Sequence, residues 1–271
     1  MGHAAVRTPG ADLMTTAAGI AVVERGEGAP VVLLHGGLGT HVTWLPFVDA
    51  AGNGLRFFLF DSPGHGGSDP LDSPLTYSLA ADRVAAAIAE LGLDRPLVGG
   101  WSDGGQIALE LAVRHPGTAG ALIVGGAYPR FDRGGIRDKH RMLLGANRRN
   151  EPNLEFLDYC LGEEGPTIKG WHPGGEPQWR RVVEDSAHMW LTYEGLSDEQ
   201  LAGIDIPVLV LGADQDELVG PEMTVELFRA LSGSAAELAI IPGSDHDAIR
   251  TPTGAPRFVP PFRAFTDRVA K

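Results

Sequence analysis

Residues 96–112 read PLVGGWSDGGQIALELA. An apolar run, Leu97–Val98, passes through two glycines into Trp101-Ser102-Asp103-Gly104, and a helical apolar pattern follows at once. A G-x-S-x-G sequence between strand and helix marks a tight turn that lifts a serine hydroxyl above the end of a sheet. Gly100 and Gly104 remove the Cβ atoms that would clash where strand meets helix. The helix start adds free N–H groups and the positive end of its dipole beside the hydroxyl. Ser102 is therefore the expected nucleophile.

Working outward, short apolar runs alternate with helical patterns, as in a mostly parallel sheet flanked by helices. The expected strands are Gly19–Val23, Pro30–Leu34, Arg56–Phe60, Leu97–Trp101, Ala121–Val124, Val208–Leu211 and Leu238–Ile241. VVLL, FFLF, ALIV and VLVL are the continuous apolar runs of strands buried on both faces. Helical periodicity covers Leu75–Leu93, Gly105–Arg114 and Glu222–Leu231, and Pro261–Val269 reads as a closing helix. Between 127 and 205 no strand pattern survives, and Gly and Pro punctuate it at GEEGPTIKG and WHPGGEPQW. The expected organisation is a core of 1–126 and 206–271 with a helical insertion, 127–205, lying over the crevice as a lid. Trp101, Trp171 and Trp190 are candidates for its lining, as are Trp179, Tyr159 and Tyr193.

A second chemical signal is VVLLHGGLG at 31–39, a strand ending in a glycine-rich loop. An acyl-transfer oxyanion needs two fixed donors, and the backbone N–H of Asp103 is one. Gly37 is the best candidate for the other. A phosphate-cradling loop would need a Lys-Ser/Thr pair that is missing here. The base must follow the nucleophile in the chain. Of His115, His140, His172, His188 and His246, only His246 lies in a loop directly after a late strand, in LAIIPGSDHDAI. Loops at the carboxyl ends of parallel strands converge on one crevice. His172 and His188 read as lining or surface residues, and His115 as a partner of a helix C-terminus. The orienting acid belongs in VLVLGADQDELVGPE, where spacing leaves both Asp214 and Asp216 open. No cluster has zinc spacing, the calcium-loop pattern fails at Leu218 and Val219, and no metal or cofactor is expected.

A formal net charge of −13 sets the field against nucleic acid and anionic membrane surfaces. The basic stretch Arg137–Arg141, with Arg148 and Arg149, reads as a solvated helical face. No apolar run reaches membrane-span length, and residues 1–13 lack a leader-peptide pattern. The single cysteine, Cys160, allows no internal disulfide, in keeping with a reducing cytoplasm. The expected partner is a small molecule; the oligomeric state is not encoded in these patterns.

HGGLG, DSPGHGGSD at 61–69, GGWSDGG, GADQDELV and PGSDHD, in that order, resemble the α/β-hydrolase superfamily across nearly the whole chain. GWSDGG and the segment 188–219 further resemble its biphenyl-hydrolase-like and valacyclovir-hydrolase-like branch. The resemblance implies an α/β-hydrolase fold with a helical cap, and it places the acid on Asp216, with Ala213 where the family commonly has Gly. In amine-selective members, the acidic residue after the nucleophile pairs with a substrate ammonium group; here that is Asp103. The resemblance gives His65 an architectural role in the DSPGHGGSD turn.

The expectation is a serine hydrolase cleaving a small carboxylic ester, lactone or activated amide, with α-amino-acyl esters as one candidate class. A carbon–carbon bond hydrolase or a cyclase would use the same Ser102, Asp216 and His246. Epoxide hydrolases and dehalogenases of this fold carry Asp at the nucleophile position, which Ser102 occupies. A non-catalytic binding module would not need the triad.

Overall fold

Eight strands hydrogen-bond into one sheet in the order β1-β2-β4-β3-β5-β6-β7-β8 in a computed structural model that describes residues 13–131 and 135–269. Residues 1–12, which carry most of the leader-peptide reading, lie outside the described residues. The first strands are β1 (Leu13–Thr15), β2 (Ala21–Gly26) and β3 (Gly28–Leu34). A 3-10 turn at His41–Trp44 and helix α1 (Leu45–Ala51) lead into β4 (Gly54–Phe60). Then come α2 (Tyr77–Glu90), β5 (Leu97–Trp101), α3 (Asp103–Arg114) and β6 (Ala121–Gly125). The chain leaves the sheet there for α4 (Ile136–Leu143), α5 (Leu154–Leu161), α6 (Gly165–Gly170), α7 (Gly175–Thr192) and α8 (Asp198–Ala202). It returns through β7 (Val208–Ala213), α9 (Pro221–Ala230), β8 (Ala236–Ile241) and α10 (Ala255–Val269).

From β4 through β8 every neighbouring pair is parallel, while β1 and β2 add antiparallel at one edge. Alternate strand residues feed two cores, one on each face. Val32, Leu34, Val98, Leu122 and Val210 meet α2 and α3 on one side. Leu33, Phe57, Leu59 and Leu209 meet α1 and α10 on the other. The carboxyl ends of β3, β5, β7 and β8 open at one edge of the sheet, where ligands bind in open α/β sheets.

Two elements differ from the sequence expectation. Strand β1 is short and exposed, so no apolar alternation announces it. Helix α10 begins at Ala255 rather than Pro261, with Pro260 and Pro261 inside it. An interior proline removes a helix hydrogen bond and costs about 3 kcal/mol. Here Phe258, Phe262 and Phe265 are buried on one face of α10, and Phe262 meets Phe47 edge-on at 4.9 Å, which offsets that cost. Among the described residues no helix is long and apolar enough to cross a membrane.

Candidate active site

Strand β5 and helix α3 meet at Ser102, whose φ of 55° and ψ of −119° put a non-glycine residue in a left-handed conformation. Such a backbone costs on the order of 1–3 kcal/mol and persists where its surroundings enforce it. They do so here: Ser102 N–H donates to Gly125 O at 2.8 Å, and Gln106 N–H donates to Ser102 O at 3.1 Å. A Cβ on Gly100 would run into the backbone of Gly104, and one on Gly104 into that of Leu34.

The loop after β3 passes over this turn. Gly36 lies so close that a Cβ there would sit 3.3 Å from Ser102 Cβ. At Gly37 a Cβ would collide with Trp190 and come within 2.9 Å of Asp103 Oδ2. Gly39 N–H donates to Gly36 O at 3.1 Å, closing a turn with Leu38 at φ 58°. The loop thus holds the backbone of Gly37 at the rim of the Ser102 cavity.

From the far strands come the residues expected as base and acid. His246 follows β8, and its Nδ1–H donates to Asp216 Oδ2 at 2.7 Å. Asp216 Oδ1 accepts from the N–H groups of Leu218 (2.9 Å) and Val219 (2.7 Å), and its side chain is fully enclosed. A carboxylate held at both oxygens fixes the imidazole tautomer and leaves Nε2 with a free lone pair. Asp214 is exposed and instead accepts from Ser244 N–H at 3.2 Å, bracing the loop that carries His246. The structure therefore pairs Asp216, not Asp214, with the histidine. No hydrogen bond joins Ser102 Oγ to His246 among the described residues; in unliganded sites this contact is often long and tightens with substrate.

Trp101 has a role that sequence reasoning missed. Its Nε1–H donates to His246 O at 2.9 Å, tying the base loop to the residue before the nucleophile. Its ring stands edge-on to Phe258 at 5.3 Å and packs over Gly125 and Gly126, where any Cβ would strike it. The signal was present as two adjacent glycines, Gly125 and Gly126, at the end of β6.

Ser102 and His246 share a cavity of about 500 Å3. Trp101, Trp171 and Trp190 lie on its wall; so do Trp44 and His140, which sequence reasoning did not propose. Trp179 is instead core, Tyr159 is 82 % exposed, and Tyr193 donates to Glu110 at 2.6 Å. Asp103 is not on the wall through its carboxylate. Trp190 Nε1–H donates to both its oxygens, at 2.9 and 2.8 Å, and Tyr77 O–H donates to Oδ1 at 2.6 Å. Burial raises the Asp103 pKa against these donors. The ammonium-pairing role expected for this carboxylate is thus opposed by geometry: its hydrogen-bonding capacity is turned toward Trp190 and Tyr77.

His172 is neither lining nor surface. Its Nδ1 accepts from Gly66 N–H and its Nε2–H donates to Leu38 O, both at 3.1 Å, so it pins the helical segment to two core loops. His65 lies between it and His35, edge-on to the first and tilted to the second, with ring centroids 5.8 and 5.3 Å away. His35 Nδ1–H donates to Gly36 O, and its Nε2 accepts from Ser62 N–H. His115 caps α3 and contacts Asp82 at 2.7 Å. The basic stretch is engaged rather than merely solvated, since Arg137 donates to Tyr193 O and Lys139 to Glu217 O. Among the described residues no three His, Cys, Asp or Glu side chains are grouped to hold a metal.

Residues 31–257 match the alpha/beta hydrolase family, and the chain belongs to it. It is an enzyme of that family, with esterases and hydrolases as its relatives and structural neighbours. The chain is 34% identical over 240 residues to the pimeloyl-[acyl-carrier protein] methyl ester esterase of Nitrosospira multiformis, covering 82% of this chain and 89% of that one. It is 26% identical over 245 residues to the AB hydrolase superfamily protein YisY of Bacillus subtilis, covering 84% and 88%. A thermophilic esterase from Thermogutta terrifontis shares the fold, with a TM-score of 0.75 at 21% identity over 97% of this chain and 100% of that one.

Proposed function

We propose that the protein hydrolyses a small carboxylic ester through an acyl-enzyme on Ser102. The observation that carries this reading is the convergence of Ser102 and the His246–Asp216 pair on one cavity. Ser102 Oγ attacks the ester carbonyl while His246 Nε2 takes its proton, and Asp216 stabilises the imidazolium that results. The backbone N–H groups of Asp103 and Gly37 receive the oxyanion, a contribution of about 3–4 kcal/mol per donor to the barrier. His246 then gives its proton to the departing alcohol. Water, deprotonated by the same nitrogen, attacks the acyl-enzyme and restores Ser102 Oγ–H.

The cavity volume is in the range of sites for small ligands. The relatives' name specifies a methyl ester, which fits the bond class; the carrier protein in that name is not carried over to this chain. The proposal also sets this chain apart from amine-selective, valacyclovir-hydrolase-like enzymes, because the Asp103 carboxylate is held by Trp190 and Tyr77. Steady-state hydrolysis of p-nitrophenyl esters of two to eight carbons tests the reading. Turnover that falls about 10⁴-fold in Asp216→Asn supports it; ester turnover insensitive to that change removes Asp216 and His246 from the chemistry.

A further inference from the structure

His140 stands on α4 and is 5 % exposed, yet its ring forms part of the wall of the cavity that holds Ser102 and His246. It lies almost parallel on Trp190, with centroids 4.6 Å apart and planes 21° apart, and meets Tyr128 edge-on at 6.1 Å. The other buried histidines of the molecule have their nitrogens committed: His172 and His35 at both positions, and His65 to Pro63 O. His140 differs. Its Nδ1 is enclosed without a partner. Its Nε2 is not enclosed and has no hydrogen bond among the described residues, which leaves Nε2 as the nitrogen open to the cavity. Native proteins leave few buried polar groups unpaired without a functional reason. A Phe or Leu would pack on Trp190 without that penalty, so packing alone does not account for a histidine here.

The proposed reaction does not use His140 either, since His246 handles each proton transfer. Burial, followed by the charges of His246 and Lys139, pushes the His140 pKa down to about 4, so the ring is neutral over the ordinary working range. A neutral imidazole offers one N–H and one lone pair and exchanges them by switching tautomer. It suits an uncharged oxygen better than an anion. The cavity wall also carries Leu143, Leu161, Ile168, Ile249 and Trp171, together with Thr43 and the ion-paired Glu164, Asp247 and Arg250. In such a cavity a few placed polar groups set the orientation of the ligand, and the charged ones here are already paired with each other, unlike His140.

We propose that His140 is the specificity-determining residue of this cavity, hydrogen-bonding an uncharged keto or hydroxyl oxygen that the ester substrate carries away from its scissile carbonyl. The proposal rests on the ester-hydrolase reading and narrows it to oxygen-substituted esters. The scissile carbonyl itself is served by the backbone donors of the β3 and β5 loops, on different elements from α4.

The test compares kcat/KM for p-nitrophenyl hexanoate with chain-matched esters bearing a keto or hydroxyl group at C3, C4 or C5. Wild type, His140→Phe, His140→Met and His140→Gln are assayed together. The quantity read is the ratio of oxygenated to plain ester within each protein, which cancels general losses of activity. The expected wild-type ratio for at least one oxygenated ester is about 10, from one hydrogen bond to His140 Nε2 made out of contact with bulk water. In His140→Phe and His140→Met the ratio falls to about 1, mainly through KM, and His140→Gln keeps part of it. A wild-type ratio near 1 throughout, with the plain ester turned over, overturns this proposal and leaves the ester reading standing. A wild-type ratio retained in His140→Phe or His140→Met overturns it equally, by reducing His140 to packing. Failure of wild type to hydrolyse any of the esters overturns both.

Discussion

Trp190 Nε1 lies 2.9 and 2.8 Å from the two carboxylate oxygens of Asp103, joining helix α7 to the residue after Ser102. A further donor, Tyr77 O–H from α2, completes the set at 2.6 Å. An unpaired buried carboxylate would be costly; one held by two neutral donors can fasten helix α7 to the turn at Ser102. The Asp103 backbone remains free to donate to an oxyanion while its side chain serves structure.

Asp103→Asn therefore acts on stability more than on substrate choice. An amide turns one N–H face toward Trp190 and Tyr77, leaving donors opposed, and about 1–3 kcal/mol of stability is expected to be lost in chemical denaturation. Matched esters with and without an α-amino group should be hydrolysed by wild type with kcat/KM values within about threefold of each other, well short of a charge-paired preference. A wild-type preference of about 100-fold for the amine, abolished in Asp103→Asn, would restore the ammonium role.

Ser102 sits at φ 55°, so relieving its backbone has a measurable consequence. Ser102→Gly is expected to raise the thermal midpoint while abolishing turnover, because glycine adopts this conformation without the ~1–3 kcal/mol penalty. The greater freedom of glycine in the unfolded chain opposes the gain by about 0.4–1 kcal/mol. Ser102→Ala, which keeps the strain, should melt close to wild type. Equal midpoints for Gly and Ala would show that the turn is not strained.

The indole of Trp101 holds the carbonyl of His246 at 2.9 Å. Trp101→Phe keeps an aromatic ring against Phe258 but deletes that donor. A drop in kcat of about 10-fold with a smaller change in KM is expected, since displacement of a catalytic group by even 1 Å can cost about 10²-fold. Unchanged kcat would mean that Asp216 and β8 alone fix the base.

Burial drives the pKa values of His35 and His140 to about 4 and that of His65 to about 3, and lowers that of His172. These histidines have folded pKa values below the unfolded value of about 6.5, so as pH falls the unfolded chain takes up protons first. Their stabilising contribution is present above about pH 6.5 and is lost progressively below it, by up to about 1.4 kcal/mol per pH unit for each histidine. Urea unfolding followed from pH 7 to pH 5, above the ordinary carboxylate range, should show a falling midpoint. A flat midpoint over that interval would mean that the four rings protonate without disturbing the fold.

Much of this site can be read along the sequence because its parts are local. A serine between two glycines at a strand–helix junction, a histidine and an aspartate in loops after late strands, and a glycine pair after an early strand are each visible within about ten residues. Asp214 and Asp216 could not be separated that way: both lie in the same loop, and only the three-dimensional path turns Asp216 toward His246 while Asp214 braces Ser244. The hydrogen bonds of Asp103 were not legible in the sequence, because its donors come from Tyr77 and Trp190, 26 and 87 residues away. His172 misled for the same reason, its partners Gly66 and Leu38 being 106 and 134 residues distant. Helix α10 was cut short at a proline because local propensity cannot weigh the burial of Phe258 and Phe262 against a lost hydrogen bond.

The central claim is that Ser102 is a nucleophile activated by His246, and intact-protein mass spectrometry after incubation with a fluorophosphonate tests it most directly. A single phosphonyl adduct, mapped to Ser102, absent in Ser102→Ala and formed at least about 100-fold more slowly in His246→Ala, is the predicted result. A folded wild-type protein that takes up no adduct, or carries it on another residue, would contradict it.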